Sequence, residues 1–126
     1  MQRSESGFTL AELMIVVAIL AILAGIAIPL YTNYIETSRN TEAFNDMNSL
    51  RLAEEEYFLE NNTYVPGKYY ATGTKSLQTG ALGWSPAKPD NKQQFGYDVS
   101  ASNTSYSITA TGLGRDVPNS VVLTLQ

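Results

Sequence analysis

The chain, 126 residues long, reads as an α+β protein. One long N-terminal α-helix, its first half a membrane span, packs by its second half on a small antiparallel β-sheet. Three observations predict this. Leu13 to Ile35 is an uncharged run long enough to cross hydrocarbon, which takes roughly 20 residues at about 1.5 Å each. From Thr32 to Asn61 the chain stays rich in helix formers, with Phe44, Met47, Leu50, Ala53 and Tyr57 recurring three or four apart. Near the C-terminus the apolar period changes to two.

The helix is expected from Phe8 to about Glu60, apolar all round at first and amphipathic later. Arg39, Glu42, Asp46, Arg51 and Glu54-Glu55-Glu56 supply its polar positions. Such a helix is on the order of 80 Å long. A protein this small cannot bury it, so lipid or other copies must cover the first half.

Asn61-Asn62-Thr63 and Pro66-Gly67 stop the helix, with Tyr64 and Val65 tucking back on it. Lys68 to Lys92 shows no clean period and reads as a long ordered loop with room for one short strand or helical turn. Tyr69, Tyr70, Leu77, Leu82 and Trp84 anchor it. Three strands follow. Phe95, Tyr97, Val99 and Ala101 share one face, and Tyr106, Ile108 and Ala110 repeat the pattern after an Asn103-Thr104 turn. Val121, Leu123 and Leu125 form the third run. A sheet with one apolar face needs a cover, and the amphipathic half of the helix is the candidate.

Composition excludes several functions. Eight Lys and Arg against twelve Asp and Glu give a net charge of −4, which argues against nucleic-acid binding by bulk electrostatics. With no Cys and no His, thiolate and imidazole catalysis are out, as are zinc sites built from those residues. Ser and Thr have no His base, and nothing marks Lys68, Lys75, Lys88 or Lys92 as buried for Ser–Lys chemistry. No enzyme activity and no cofactor are expected. Asp90, Asp98 and Asp116, with Asn91 and Asn119, invite a calcium site. Calcium wants about 6–8 oxygen ligands, and these acids are not tightly spaced, so they read as solvated loop carboxylates and no metal site is assigned. Asn61-Asn62-Thr63 and Asn103-Thr104-Ser105 match the N-glycosylation sequon, a pattern short enough to arise by chance, and no modification is assigned to them.

Glu12 is the residue that asks for a role. A carboxylate at the mouth of an apolar span needs a partner, and snorkelling to headgroups is the plain reading. Gly25 and Pro29 stand four apart, and Pro29 has no N–H, so the carbonyl of Gly25 lacks its helical donor. Read plainly, this is a tolerated kink. An ordinary signal peptide, with Arg3 as its charge and Gly25-Ile26-Ala27 as a cleavage site, fits less well. The apolar stretch is too long and Glu12 interrupts its start.

Gly7-Phe8-Thr9-Leu10-Ala11-Glu12, continued by Leu13-Met14-Ile15-Val16-Val17-Ala18-Ile19 as far as Pro29, resembles the type IV pilin family and its relatives, the pseudopilins of type II secretion. The resemblance implies a leader, residues 1–7, cut after Gly7 by a prepilin peptidase, and N-methylation of Phe8. It implies that Glu12 pairs with the freed amine of Phe8 on a neighbouring subunit. Residues 8–35 then form the transmembrane and assembly half of the helix, and residues 36–126 the head. Gly25 and Pro29 become a weak point that loosens when the helix leaves lipid. Implied partners are further copies in a homopolymeric filament, an assembly platform with its ATPase, and the inner membrane before assembly. The product is an extracellular pilus. Many pilins close the C-terminal region with a disulfide, which this chain cannot do.

Two alternatives follow from the same resemblance. One is a pseudopilin of a type II secretion system. The other is a membrane-tethered minor-pilin binding module, for DNA or a surface ligand, with Lys68-Tyr69-Tyr70 and Lys88 to Lys92 as its thin candidate patches. The aromatics Phe8, Tyr31, Tyr34, Phe44, Tyr57, Phe58 and Tyr64 read as packing residues and interface anchors rather than an electron path.

Overall fold

Apolar runs, a period of 3.6 and then a period of two give the expected order of elements. The computed structural model describes residues 7–118 and 122–126. The leader up to Ser6, Asn119 and Val121 therefore lie outside the described residues. The chain divides into two compact units, one ending at Ile35 and the other Glu36–Gln126. A single helix, α1 (Leu10–Asn61), contributes to both.

In the first unit α1 is long and apolar enough to cross a membrane. Its side chains lie exposed from Phe8 to Tyr34, Phe8 at 91 %. The helix runs on through Pro29, and the Thr32 hydroxyl donates to the Pro29 carbonyl at 2.9 Å. A side chain at Gly25 would meet nothing within 4 Å, so nothing in the single chain demands glycine there.

In the second unit, α1 ends where Asn62 enters the left-handed region (φ 56) and its N–H caps the Phe58 carbonyl at 2.8 Å. The sheet has four strands rather than the three expected: β1 (Gly67–Tyr69), β2 (Phe95–Ala101), β3 (Tyr106–Gly112) and β4 (Val122–Leu125), antiparallel in the order β1-β2-β3-β4. The extra strand is too short to alternate and exists through its pairing, Gly67 with Val99 and Tyr69 with Tyr97. The long loop also forms a helical turn, α2 (Ser76–Thr79), and a 3-10 turn over Asp90–Lys92. Register places Tyr97 opposite Ala110, Val99 opposite Ile108 and Ala110 opposite Leu123, so the apolar residues share one face as their spacing demands.

That face is covered by α1, turned from the expected setting. Ala43, Met47 and Leu50 are buried, and Phe44 is 39 % exposed instead of facing the core. Asp46 and Glu54, counted among the polar positions of the helix, are buried with them. Partners distant in sequence make this possible. The Tyr97 hydroxyl donates to Asp46 Oδ2 at 2.8 Å and the Ala87 N–H to Oδ1 at 3.2 Å. Glu54 Oε2 accepts from the Val65 N–H at 2.9 Å. Trp84 sits edge-on to Tyr69 and Tyr97, at 6.0 and 5.4 Å, and its Nε1–H donates to Ser49 at 2.9 Å. Gly96 is fixed by packing, because a Cβ there would lie 2.2 Å from the Tyr70 ring.

Candidate functional site

Where a helix begins, its first N–H groups lack partners, and a Thr or Ser followed three residues later by Glu or Gln satisfies two of them reciprocally. Thr9 and Glu12 do this at the start of α1. The Thr9 N–H and hydroxyl both donate to Glu12 Oε2 at 2.9 Å, and the Glu12 N–H donates to Thr9 Oγ1 at 3.2 Å. Thr9 is the residue that the sequence argument missed, although its spacing to Glu12 is a recognised helix-start signal. Glu12 is thus a cap as well as a charge. Its Oε1 makes no hydrogen bond among the described residues.

Phe8 and Gly7 flank this cap, both exposed. Beyond it Leu13, Ile15, Val17, Leu20, Leu23 and Ile26 are each more than half exposed, so the cap stands at one end of a continuous apolar surface. Large exposed apolar surface on a single chain marks a membrane or protein contact. Gly25 and Pro29 lie within this surface, apart from the cap.

The acids weighed as calcium ligands lie separately, each beside a cation. Asp90 accepts from Lys75 and from the Tyr69 hydroxyl, the latter at 2.7 Å. Asp98 faces Lys68 at 3.2 Å and accepts from the Tyr70 hydroxyl at 2.6 Å. Asp116 lies 4.0 Å from Arg39. No group of three His, Cys, Asp or Glu placed to hold a metal occurs among the described residues. The reading of these carboxylates as merely solvated needs correction, since each joins two segments by an ion pair. The Lys75 bond holds the Asp90 carboxyl below its usual range. Burial and the bond to Asp90 push Tyr69 up to about 12, and the bond to Asp98 does the same for Tyr70.

In the two thin basic patches Lys68 is paired with Asp98 and Lys88 with Glu42, while Lys92 is exposed with no carboxylate partner among the described residues. Of the aromatics named from sequence, Phe58 and Tyr64 stack at 4.5 Å, and Tyr64 meets Tyr106 at 4.6 Å. This is local packing at the end of the helix.

Two family models match the chain. One, described as type IV minor pilin ComP, DNA uptake sequence receptor, covers residues 29–120. The other, described as the prokaryotic N-terminal methylation motif, covers residues 2–28. Fimbrial protein EcpC of Eikenella corrodens is 36 % identical over 111 residues, 88 % of this chain and 65 % of that protein. Type IV major fimbrial protein FimA of Dichelobacter nodosus is 42 % identical over 83 residues, covering 66 % and 51 %. Type IV major pilin protein PilA of Myxococcus xanthus is 36 % identical over 96 residues, covering 76 % and 37 %. The chain thus spans less than two thirds of the length of these relatives. No solved structure gives a significant match.

Proposed function

Because the chain belongs to the type IV pilin family, we propose that it is a filament subunit that assembles through the first half of α1. It is made as a single-pass membrane precursor and cut after Gly7 by a prepilin peptidase. Phe8 is then N-methylated, and an assembly platform with its ATPase moves the subunit from the inner membrane into an extracellular pilus.

The observation that carries this reading is the polar cap beside an uncovered apolar helix. Thr9 occupies one oxygen of Glu12 and fixes the carboxylate at the helix start. The other oxygen remains for a cation, and the freed amine at Phe8 of a neighbour is a cation of the required kind. As helices pack and water leaves, an unpaired carboxylate becomes costly and a paired one tolerable. Apolar contact therefore drives association while the charge pair sets register. Gly25 and Pro29 supply a stretch with one missing backbone hydrogen bond, where α1 yields on leaving lipid.

The test is mass spectrometry of the N-terminus in filaments sheared from the cell surface. A chain beginning at N-methylated Phe8 in that material supports the proposal. The processed chain confined to the membrane fraction would point to a pseudopilin, and an intact Met1 or a start beyond Ala27 would refute the processing.

A second reading, a minor pilin that receives DNA, is favoured by the description of the matching family model. It runs against the expectation of no nucleic-acid partner and against the pairing of Lys68, Lys75 and Lys88 with carboxylates, which leaves Lys92 and Arg115 as the unpaired cations near that patch among the described residues. Duplex-DNA binding by the full-length chain, weakening steeply with salt, would establish it. Equal retention at low and high salt would dismiss it.

A further inference from the structure

The second unit carries two exposed surfaces of opposite character that it does not satisfy internally. One is the outer face of α1. Leu52 and Leu59 are 65 % and 82 % exposed there, and Glu56 and Glu60 lie on the same side, one turn apart. Neither glutamate makes an ion pair or hydrogen bond among the described residues, and like charges at this spacing repel. Glu56 and Glu60 also rim a depression of about 220 Å³ floored by Ala53, Tyr57 and Leu82.

The other surface is a cleft of about 320 Å³ lined by Lys88, Lys92, Gln94, Arg115 and Asp116. Lys88 is taken by Glu42, and Asp116 by Arg39 and by Gln94 at 3.3 Å. Lys92 and Arg115 are exposed and have no carboxylate partner among the described residues. Arg115 donates to the Asn91 carbonyl at 2.7 Å, which leaves its charge uncompensated.

The two surfaces do not meet within one copy. Glu42, which holds Lys88, and Glu56 are four turns apart on α1, about 21 Å. Lys and Arg bring an aliphatic stem and a charged head. That combination suits a face with exposed leucines, an apolar-floored depression and a carboxylate rim.

We infer that the outer face of α1 around Leu52, Glu56, Leu59 and Glu60 docks the Lys92–Arg115 cleft of a second copy of this chain. The two patches differ, so a bound pair still presents one free patch of each kind, and further copies can add head to tail at both ends, as an open helical filament requires. It rests on the filament reading, to which it adds a contact between heads, with steering and register from charge.

The experiment uses full-length chain in its own cells. One variant carries Glu56→Lys and Glu60→Lys, a second Lys92→Glu and Arg115→Glu, and a third all four. All four side chains are exposed, so folding is not at stake. Each reversal alone is expected to lower the sheared filament yield about tenfold, and the fourfold exchange to restore it to within about twofold. In parallel, because the chain has no cysteine, copies carrying Glu60→Cys and copies carrying Lys92→Cys are co-expressed and oxidised. A disulfide-linked dimer between the two kinds is expected.

Unchanged yield in the reversals, with filaments present and no cross-link, overturns the inference and leaves the filament reading intact. A fourfold variant as poor as either half also overturns it, because each patch then meets some other molecule. A cross-link in cells that make no filament upholds the contact and refutes the filament reading.

Discussion

Replacing Tyr97 by Phe removes one hydroxyl from the centre of the second unit and leaves the ring. That hydroxyl donates to Asp46 Oδ2 at 2.8 Å, and both residues are buried, at 1 % and 4 % exposure. The remaining donor to Asp46, the Ala87 N–H, reaches only the other oxygen. The variant therefore keeps the edge-on contact with Trp84 and strips a buried carboxylate oxygen of its partner. A hydrogen bond to a charged group contributes roughly 1.5–3 kcal/mol, so a loss of about 2 kcal/mol is expected. For a unit of this size, about 4–8 °C of Tm accompanies each kcal/mol, giving a fall of about 8–16 °C. Trp84 is the sole tryptophan and is buried beside Tyr97, so its fluorescence in detergent-solubilised full-length chain follows unfolding of this unit alone. Asp46→Asn and the double variant complete a cycle, with an expected coupling of about 1–2 kcal/mol. A Tyr97→Phe loss under about 0.5 kcal/mol, the range of ordinary surface changes, would refute the view that this bond holds the long loop, helix and sheet together.

The capping geometry separates two roles of Glu12. Glu12→Gln can still accept from Thr9 but carries no charge, whereas Glu12→Ala loses both. If charge pairing drives assembly, both variants insert in the membrane yet make no filament, and normal piliation with Gln would reduce Glu12 to a cap. Met47→Ala, at a fully buried site, is expected to cost about 2–5 kcal/mol by denaturant titration, and a cost below that range would mean α1 does not close the core. Burial pushes the Glu54 carboxyl up, only partly offset by the Val65 N–H, and Oε1 has no partner. Its protonated form is the one folding favours. The stability it contributes is full below the ordinary glutamate range and lost as pH rises through the raised value. Urea midpoints of Glu54→Gln should thus fall less than wild type between about pH 4 and 8, and parallel curves would contradict this.

The long helix and strands β2 and β3 were legible because apolar spacing alone dictates them. The start of α1 was legible too, in Thr9 and Glu12, had the pair been taken as a cap as well as a charge. Strand β1 was not legible, since Gly67-Lys68-Tyr69 has no period and pairs with residues about thirty positions away. The rotation of α1 was hidden for a similar reason. Two acids in a helical face read as solvated until Tyr97 and Val65 are known to reach them, and those contacts arise only from the tertiary fold. The ion pairs of Asp90, Asp98 and Asp116 belong to the same class.

The separation of Asp46 from Tyr97 also sets a clock during synthesis. At roughly 5–20 residues per second, the ribosome takes about 3–10 s to add the 51 positions between them. For that interval the inner face of α1 is made before the sheet that covers it. A face of Ala43, Met47 and Leu50 alone would be sticky while it waits. Asp46 and Glu54 interrupt that face with polar groups while it waits, and each accepts a hydrogen bond when Val65 and then Tyr97 arrive.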